Sequence, residues 1–277
     1  MPLLLPSLAL AGAALPGAWA HYEETSTSCS FTLRPGTAPK SWTEEEVEAL
    51  LKDAFAFTTE FRSLPLNEAQ QINAPALANA NASSCLPSTY VPLPVDEVLS
   101  HPGFGGMGAV VHDLGAGLGR PTLRAVLLHG ASAGVGVELS STRWREGCSA
   151  LRTLGRRLAG AAERPRDRPT ARVELRLGDA LLADVSGATR VLLFATCFPA
   201  EVVQTLQRKL LEELPDGARV FCAGSRGLWA SRLEAEATAG RHRRRAMLRG
   251  DPDDDILQRV WTVEDAPDAE GVLAQEL

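Results

Sequence analysis

The run Val110-Val-His-Asp-Leu-Gly-Ala-Gly-Leu-Gly-Arg120 constrains this chain more than any other stretch. An apolar segment that ends in an acid and is followed by glycines at alternate positions predicts a buried strand, a tight loop and the start of a helix. Gly115, Gly117 and Gly119 can adopt positive φ and let main-chain N–H groups approach a ligand with no Cβ in the way. The apolar, arginine-containing run from Pro121 to Leu128 then predicts the helix.

Spacing selects among the ligands such a loop could take. The dinucleotide fingerprint is G-x-G-x-x-G, whereas this chain has G-x-G-x-G with Asp113 two residues before the first glycine. A free carboxylate at a strand end suits the cationic amino end of a methionine moiety and repels a pyrophosphate. The predicted cofactor is therefore S-adenosyl-L-methionine rather than NAD, with a glycine-rich turn that binds nothing as the bland alternative. Ala133-Gly-Val-Gly-Val-Glu138 is a second short apolar strand ending in a carboxylate, 25 residues after Asp113, where a ribose-binding acid belongs. A third strand, Arg172 to Leu177, alternates apolar and charged residues and runs into Gly178-Asp179, and Asp179 is the candidate for the adenine amino group.

Two more strands, Val191 to Phe194 and Ala218 to Ala223, follow, and helical stretches from Ser140 to Leu158 and from Glu201 to Leu214 separate strands. Such alternation predicts an α/β fold of the Rossmann-like kind: a mostly parallel seven-stranded sheet, helices on both faces and ligands at the carboxyl ends of the strands. Arg244 to Arg249 and Ile256 to Val263 flank Gly250-Asp-Pro-Asp-Asp-Asp255 and read as a terminal antiparallel pair, in which the acidic run could neutralise Arg241-His-Arg-Arg-Arg245.

The order D-L-G-x-G-x-G, G-V-E, G-D and T-C-F, then a helix and P-D-G-A-R-V, covers residues 110 to 223. In this order the chain resembles the class I S-adenosylmethionine-dependent methyltransferases, and among them the non-SET histone lysine methyltransferases of the disruptor-of-telomeric-silencing type. The resemblance implies that Asp113, Gly115, Gly117, Gly119, Glu138 and Asp179 hold the cofactor. It also implies that Thr196 and Phe198 line the channel to the methyl group and that Tyr90, in Ser88 to Leu99, is the tyrosine of the loop before the cofactor strand. The implied acceptor is a protein lysine, in a histone or nucleosome, with a small molecule on the same fold or a non-catalytic relative as alternatives. Phe194 stands where that family has an asparagine, and Val91-Pro92 replaces a glycine-acid pair.

A length of 277 residues and 45% hydrophobic composition suit one catalytic domain with extensions. The predicted division is a targeting-like segment at 1–20, a helix and irregular connector at 21–88, a methyltransferase domain at 89–265 and an acidic tail at 266–277. A net charge of −6 argues against overall attraction to nucleic acid, and no basic extension is evident. Ten arginines against four acids between Arg143 and Arg176 read as a solvated surface, since the chain has only three lysines and favours arginine generally.

Met1 to Ala20 has no charged side chain, is dominated by leucine and alanine, and ends in Ala18-Trp-Ala20. It reads as a secretory or organelle targeting segment, too short in its apolar core for a stable membrane span, whereas the family resemblance implies the nucleus. Nothing else in the chain could span a bilayer. Five cysteines, Cys29, Cys85, Cys148, Cys197 and Cys222, leave one unpaired and lack metal-ligand spacing, which argues against a disulfide framework and against a metal site. Cys197 reads as a packing residue. Asn81-Ala-Ser83 is a glycosylation sequon only on the secretory route. Ser41-Trp-Thr-Glu44 predicts a capping box, followed by Val47, Leu50, Leu51, Ala54, Phe55 and Thr58 at helical spacing.

Overall fold

The computed structural model describes residues 20–33, 42–56, 95–102, 104–105, 108–159, 170–195, 198, 200–223, 234–239, 242–248 and 260–265. Among the described residues, ten strands form one sheet: β1 (Ala20–Glu24), β2 (Ser28–Leu33), β3 (Val110–Leu114), β4 (Ala133–Glu138), β5 (Ala171–Leu177), β6 (Arg190–Phe194), β7 (Arg219–Ala223), β8 (Glu234–Ala239), β9 (His242–Leu248) and β10 (Val260–Asp265). Their spatial order is β1-β2-β5-β4-β3-β6-β7-β10-β9-β8. The five central strands, β5-β4-β3-β6-β7, are parallel, as the βα alternation requires. The order reverses at β3, and that switch point carries the glycine loop.

Antiparallel strands extend both edges. The expected terminal pair is present as β9 and β10, with β10 inserted between β7 and β9, and β8 adds an edge strand. Opposite the arginines of β9, however, the register places Glu236 and Glu264 across from Arg245 and Asp265 across from Arg244. The acidic run 251–255 lies outside the described residues. On the other edge β1 and β2 form a hairpin whose second strand pairs with β5. The segment expected to supply only a helix and a connector therefore contributes two strands to the same sheet.

Among the described residues, five helices cover the sheet: α1 (Glu44–Ala54), α2 (Val95–Ser100), α3 (Arg120–Leu127), α4 (Ser141–Ala159) and α5 (Ala200–Glu213). In α1 the capping box forms two residues later than the spacing predicted, between Thr43 and Glu46. It still satisfies two helix-end N–H groups and starts a helix whose Val47, Leu51 and Ala54 are buried. On α4, Trp144, Cys148, Leu151, Leu154 and Leu158 recur at helical spacing and are buried against β2 and β5. Helix α5 buries Val203, Leu206, Leu210 and Leu211 on the opposite face of the sheet. Each such leucine contributes roughly 2 kcal/mol from burial. Among the described residues, no helix is long and apolar enough to cross a membrane.

Helix α3 sits unusually close to the sheet. A Cβ on Gly134 would stand 2.8 Å from the carbonyl oxygen of Thr122, and one on Gly136 would stand 2.9 Å from Thr122 Oγ1. The two β4 glycines thus admit the first turns of α3. Arg124 on α3 then ties the upstream helices to it, donating to both carboxylate oxygens of Asp96 on α2 and to Glu48 on α1 at 2.6 Å. The same Asp96 meets His129 Nε2 at 2.8 Å, and these partners hold the Asp96 carboxyl at about 2 despite its partial burial.

The cysteines depart from expectation. Cys29 on β2 and Cys148 on α4 form a disulfide across 119 residues of sequence. Cys222 is buried in β7, and Cys85 and Cys197 lie outside the described residues.

Candidate functional site

The carboxyl ends of β3, β4 and β5 bring the predicted acids and glycines to one edge. After β3 the chain turns through Gly115, Gly117 and Gly119 with φ of 89°, 58° and 83°. The turn is fixed to its neighbour because the Gly115 and Ala116 amides donate to the Val137 carbonyl at 2.9 and 3.0 Å. Gly178, after β5, donates to the Glu138 carbonyl at 3.0 Å, which sets Asp179 beside the end of β4.

The three loop glycines have different surroundings. A Cβ on Gly115 would lie 2.9 Å from Cζ of Phe198, so the Phe198 ring rests on the loop. A Cβ on Gly119 would strike Leu175 at 2.6 Å, so that glycine faces the sheet and begins α3. Among the described residues, no heavy atom lies within 4 Å of the Cβ position at Gly117, and the same holds at Gly178. Gly117 is therefore the glycine that keeps a cradle open.

Glu138 is almost fully buried, and both its oxygens already accept main-chain protons: Oε2 from Gly117 at 2.7 Å and Oε1 from Ser140 at 2.8 Å. Glu138 thus holds the glycine loop to the start of α4. Asp179 Oδ1 accepts from the Leu181 amide at 2.9 Å and starts the turn after β5.

Asp113 is not the free carboxylate that the sequence suggests. It is wholly buried under α3, where Oδ2 accepts from the Thr122 hydroxyl at 3.1 Å. Its Oδ1 has no hydrogen-bond partner among the described residues. Burial pushes its carboxyl up to about 7; the Thr122 hydroxyl opposes that rise and the Glu138 charge adds to it. The neighbouring His112 points to the other sheet face and is held at about 4, by burial first and then by the Arg176 charge. An unsatisfied buried acid directly below a glycine loop is costly unless a positive group comes near it.

Two further residues at this edge escaped the sequence reading. Leu139 and Leu182, which follow Glu138 and Asp179, are 51% and 84% exposed, the two large apolar side chains in that condition among the described residues. Their positions, one residue after Glu138 and three after Asp179, are the signal for them: an apolar surface beside hydrogen-bonding carboxylates suits a flat heteroaromatic ring. Phe194, by contrast, packs inward, with its ring edge-on to Phe221 at 5.9 Å. Tyr90 and Thr196 lie outside the described residues.

The residues present fit S-adenosyl-L-methionine: an orphaned buried carboxylate oxygen, an open cradle over Gly117, and apolar and acidic groups side by side. No protein-family model and no curated protein sequence matches the chain. Among solved structures it is similar to a geranyl diphosphate methyltransferase in complex with GPP and sinefungin, at 19% identity over 46% of this chain and 43% of that one, with a TM-score of 0.36. It is also similar to the B. subtilis tRNA methyltransferase TrmK, at 13% identity over 64% of this chain and 65% of that one, with a TM-score of 0.37. The chain thus spans less than two thirds of the length of either.

Proposed function

We propose that the chain is an S-adenosyl-L-methionine-dependent methyltransferase. The observation that carries this reading is the convergence of the open cradle at Gly117 with Glu138 and Asp179 at adjacent strand ends. When bound, the cofactor supplies a methyl group activated by a sulfonium charge. Glu138 would accept from the ribose hydroxyls, Asp179 would accept from the adenine amino group, and Leu139 and Leu182 would flank the base. Asp113, buried beneath the loop, would favour a nearby positive group when ionised, without needing direct contact. Phe198, seated on Gly115, offers an aromatic face that favours a cation. The chain's contribution to the reaction would be alignment and exclusion of water, since displacement at a methyl group requires no general base from the protein.

For the acceptor, the motif order supports a protein lysine, with Tyr90, Thr196 and Phe198 at the positions that the resemblance assigns to the channel. A small-molecule acceptor is the second reading, and Phe194 favours it: the resemblance needs an amide where this chain packs a partly buried aromatic ring against Phe221. Incubation of the full chain with methyl-labelled cofactor and, separately, core histones, nucleosomes and a small-molecule extract tests both. Label retained on acid-precipitated protein, on lysine after hydrolysis, is the result expected for the first; label confined to the soluble fraction indicates the second. Cofactor binding without transfer to any fraction would mark a non-catalytic relative.

A further inference from the structure

The cofactor edge depends on one helix, α4, and a single covalent bond fixes that helix to the sheet. Ser140, at the start of α4, donates to Glu138, and Trp144 Nε1 donates to the Leu175 carbonyl at 3.2 Å. Gly147 lies so close to the glycine loop that a Cβ there would stand 2.8 Å from the Leu118 carbonyl oxygen. The next residue, Cys148, is bonded to Cys29. In β2, Cys29 stands in register with Leu175, whose side chain wedges beneath Gly119, Gly136 and Gly147 together. The bond therefore connects to the glycine loop by two routes, one along α4 through Gly147 and one across the sheet through Leu175.

We propose that the Cys29–Cys148 disulfide is an oxidative modification that completes the cofactor site, so that the chain reaches full cofactor affinity only after it forms. Both cysteines are 1% exposed, so the formed bond is shielded from external thiols. In the forming step one cysteine thiolate attacks the disulfide of a protein oxidoreductase. The second cysteine breaks the resulting mixed disulfide, and the two protons and two electrons end on the oxidoreductase dithiol. An oxidising compartment supports this exchange, and the apolar start Met1–Ala20 would deliver the chain there.

The methyl-donor part of this inference rests on the function proposed above, and its test separates the two. The full chain is refolded from the reduced state in either a glutathione-disulfide buffer or a dithiol, and S-adenosyl-L-methionine affinity is measured by equilibrium dialysis. A non-reduced peptide map should show the Cys29 peptide linked to the Cys148 peptide in the first sample alone. The dithiol sample should bind at least about fivefold more weakly. In the double variant Cys29→Ala/Cys148→Ala, with its helical content checked by circular dichroism, amide exchange at Gly117 and Ser140 should be faster than in the bonded chain. Equal affinities in the two samples, or Cys29 and Cys148 recovered as separate thiols after oxidative refolding, would overturn the inference. If neither sample binds the cofactor, the methyl-donor reading fails, while unchanged exchange at Gly117 and Ser140 would by itself overturn the role given to the bond.

Discussion

Glu138 Oε2 accepts the amide proton of Gly117 at 2.7 Å, so the acid ending one strand is the clamp on the loop following its neighbour. Its other oxygen takes the Ser140 amide. Loss of a buried carboxylate that makes two such bonds costs about 1.5–3 kcal/mol. Glu138→Ala should lower the denaturation midpoint accordingly and weaken cofactor binding by about ten- to a hundredfold. Chemical denaturation and equilibrium dialysis of the same variant check both effects. Unchanged affinity would remove Glu138 from the site.

Asp113 and His112, adjacent on β3, make opposite contributions to the pH dependence of stability. Asp113 has its folded value raised to about 7, so its contribution is present at low pH and is lost as pH rises toward 7. His112 is lowered to about 4, so its contribution is present above its ordinary value near 6.5 and is lost as pH falls toward 4. Between about pH 4 and 6.5 the two slopes oppose each other, each at most about 1.4 kcal/mol per pH unit. Asp113→Asn should expose a stability that rises with pH in this window, and His112→Gln one that falls. Urea titrations at several pH values decide the matter; parallel profiles for the two variants would contradict the assignments.

The glycines of the site separate folding from binding. Gly117→Ala places its Cβ in open space and meets only the strain of φ 58°, about 1 kcal/mol. Gly134→Ala drives its Cβ to 2.8 Å from the Thr122 carbonyl oxygen, an overpacking against backbone that costs about 1–3 kcal/mol. The first variant should fold and lose cofactor affinity, whereas the second should lose stability foremost. Thermal melts with and without cofactor distinguish them.

Much of this was legible in the chain because it is written locally. Apolar runs ending in Asp113 and Glu138, apolar and charged residues alternating along 171–177, and helical spacing in α4 and α5 each determine an element without distant partners. The hairpin β1–β2 carries a fainter signal: Cys29, Phe31 and Leu33 alternate with Ser28, Ser30 and Thr32, a period of two in a segment too short to stand without β5. The Cys29–Cys148 pairing follows no spacing rule, since the chain ends it joins meet only after β2 pairs with β5 and α4 packs on both. At the site, the acids and glycines were found by position, but not their division of labour. That Asp113 is sealed by Thr122, and that Gly117 alone keeps an open cradle among the three loop glycines, depends on how closely α3 approaches β4.

The cradle at Gly117 is proposed to receive S-adenosyl-L-methionine. Isothermal titration of the full chain with this cofactor and, separately, with NAD tests it most directly, with Gly117→Ala measured in parallel. The expected results are saturable binding of S-adenosyl-L-methionine, no heat of binding for NAD at the same concentration, and at least about tenfold weaker cofactor binding by a folded Gly117→Ala variant. Binding of NAD alone, or a Gly117→Ala variant that binds S-adenosyl-L-methionine as tightly as the unaltered chain, would contradict it.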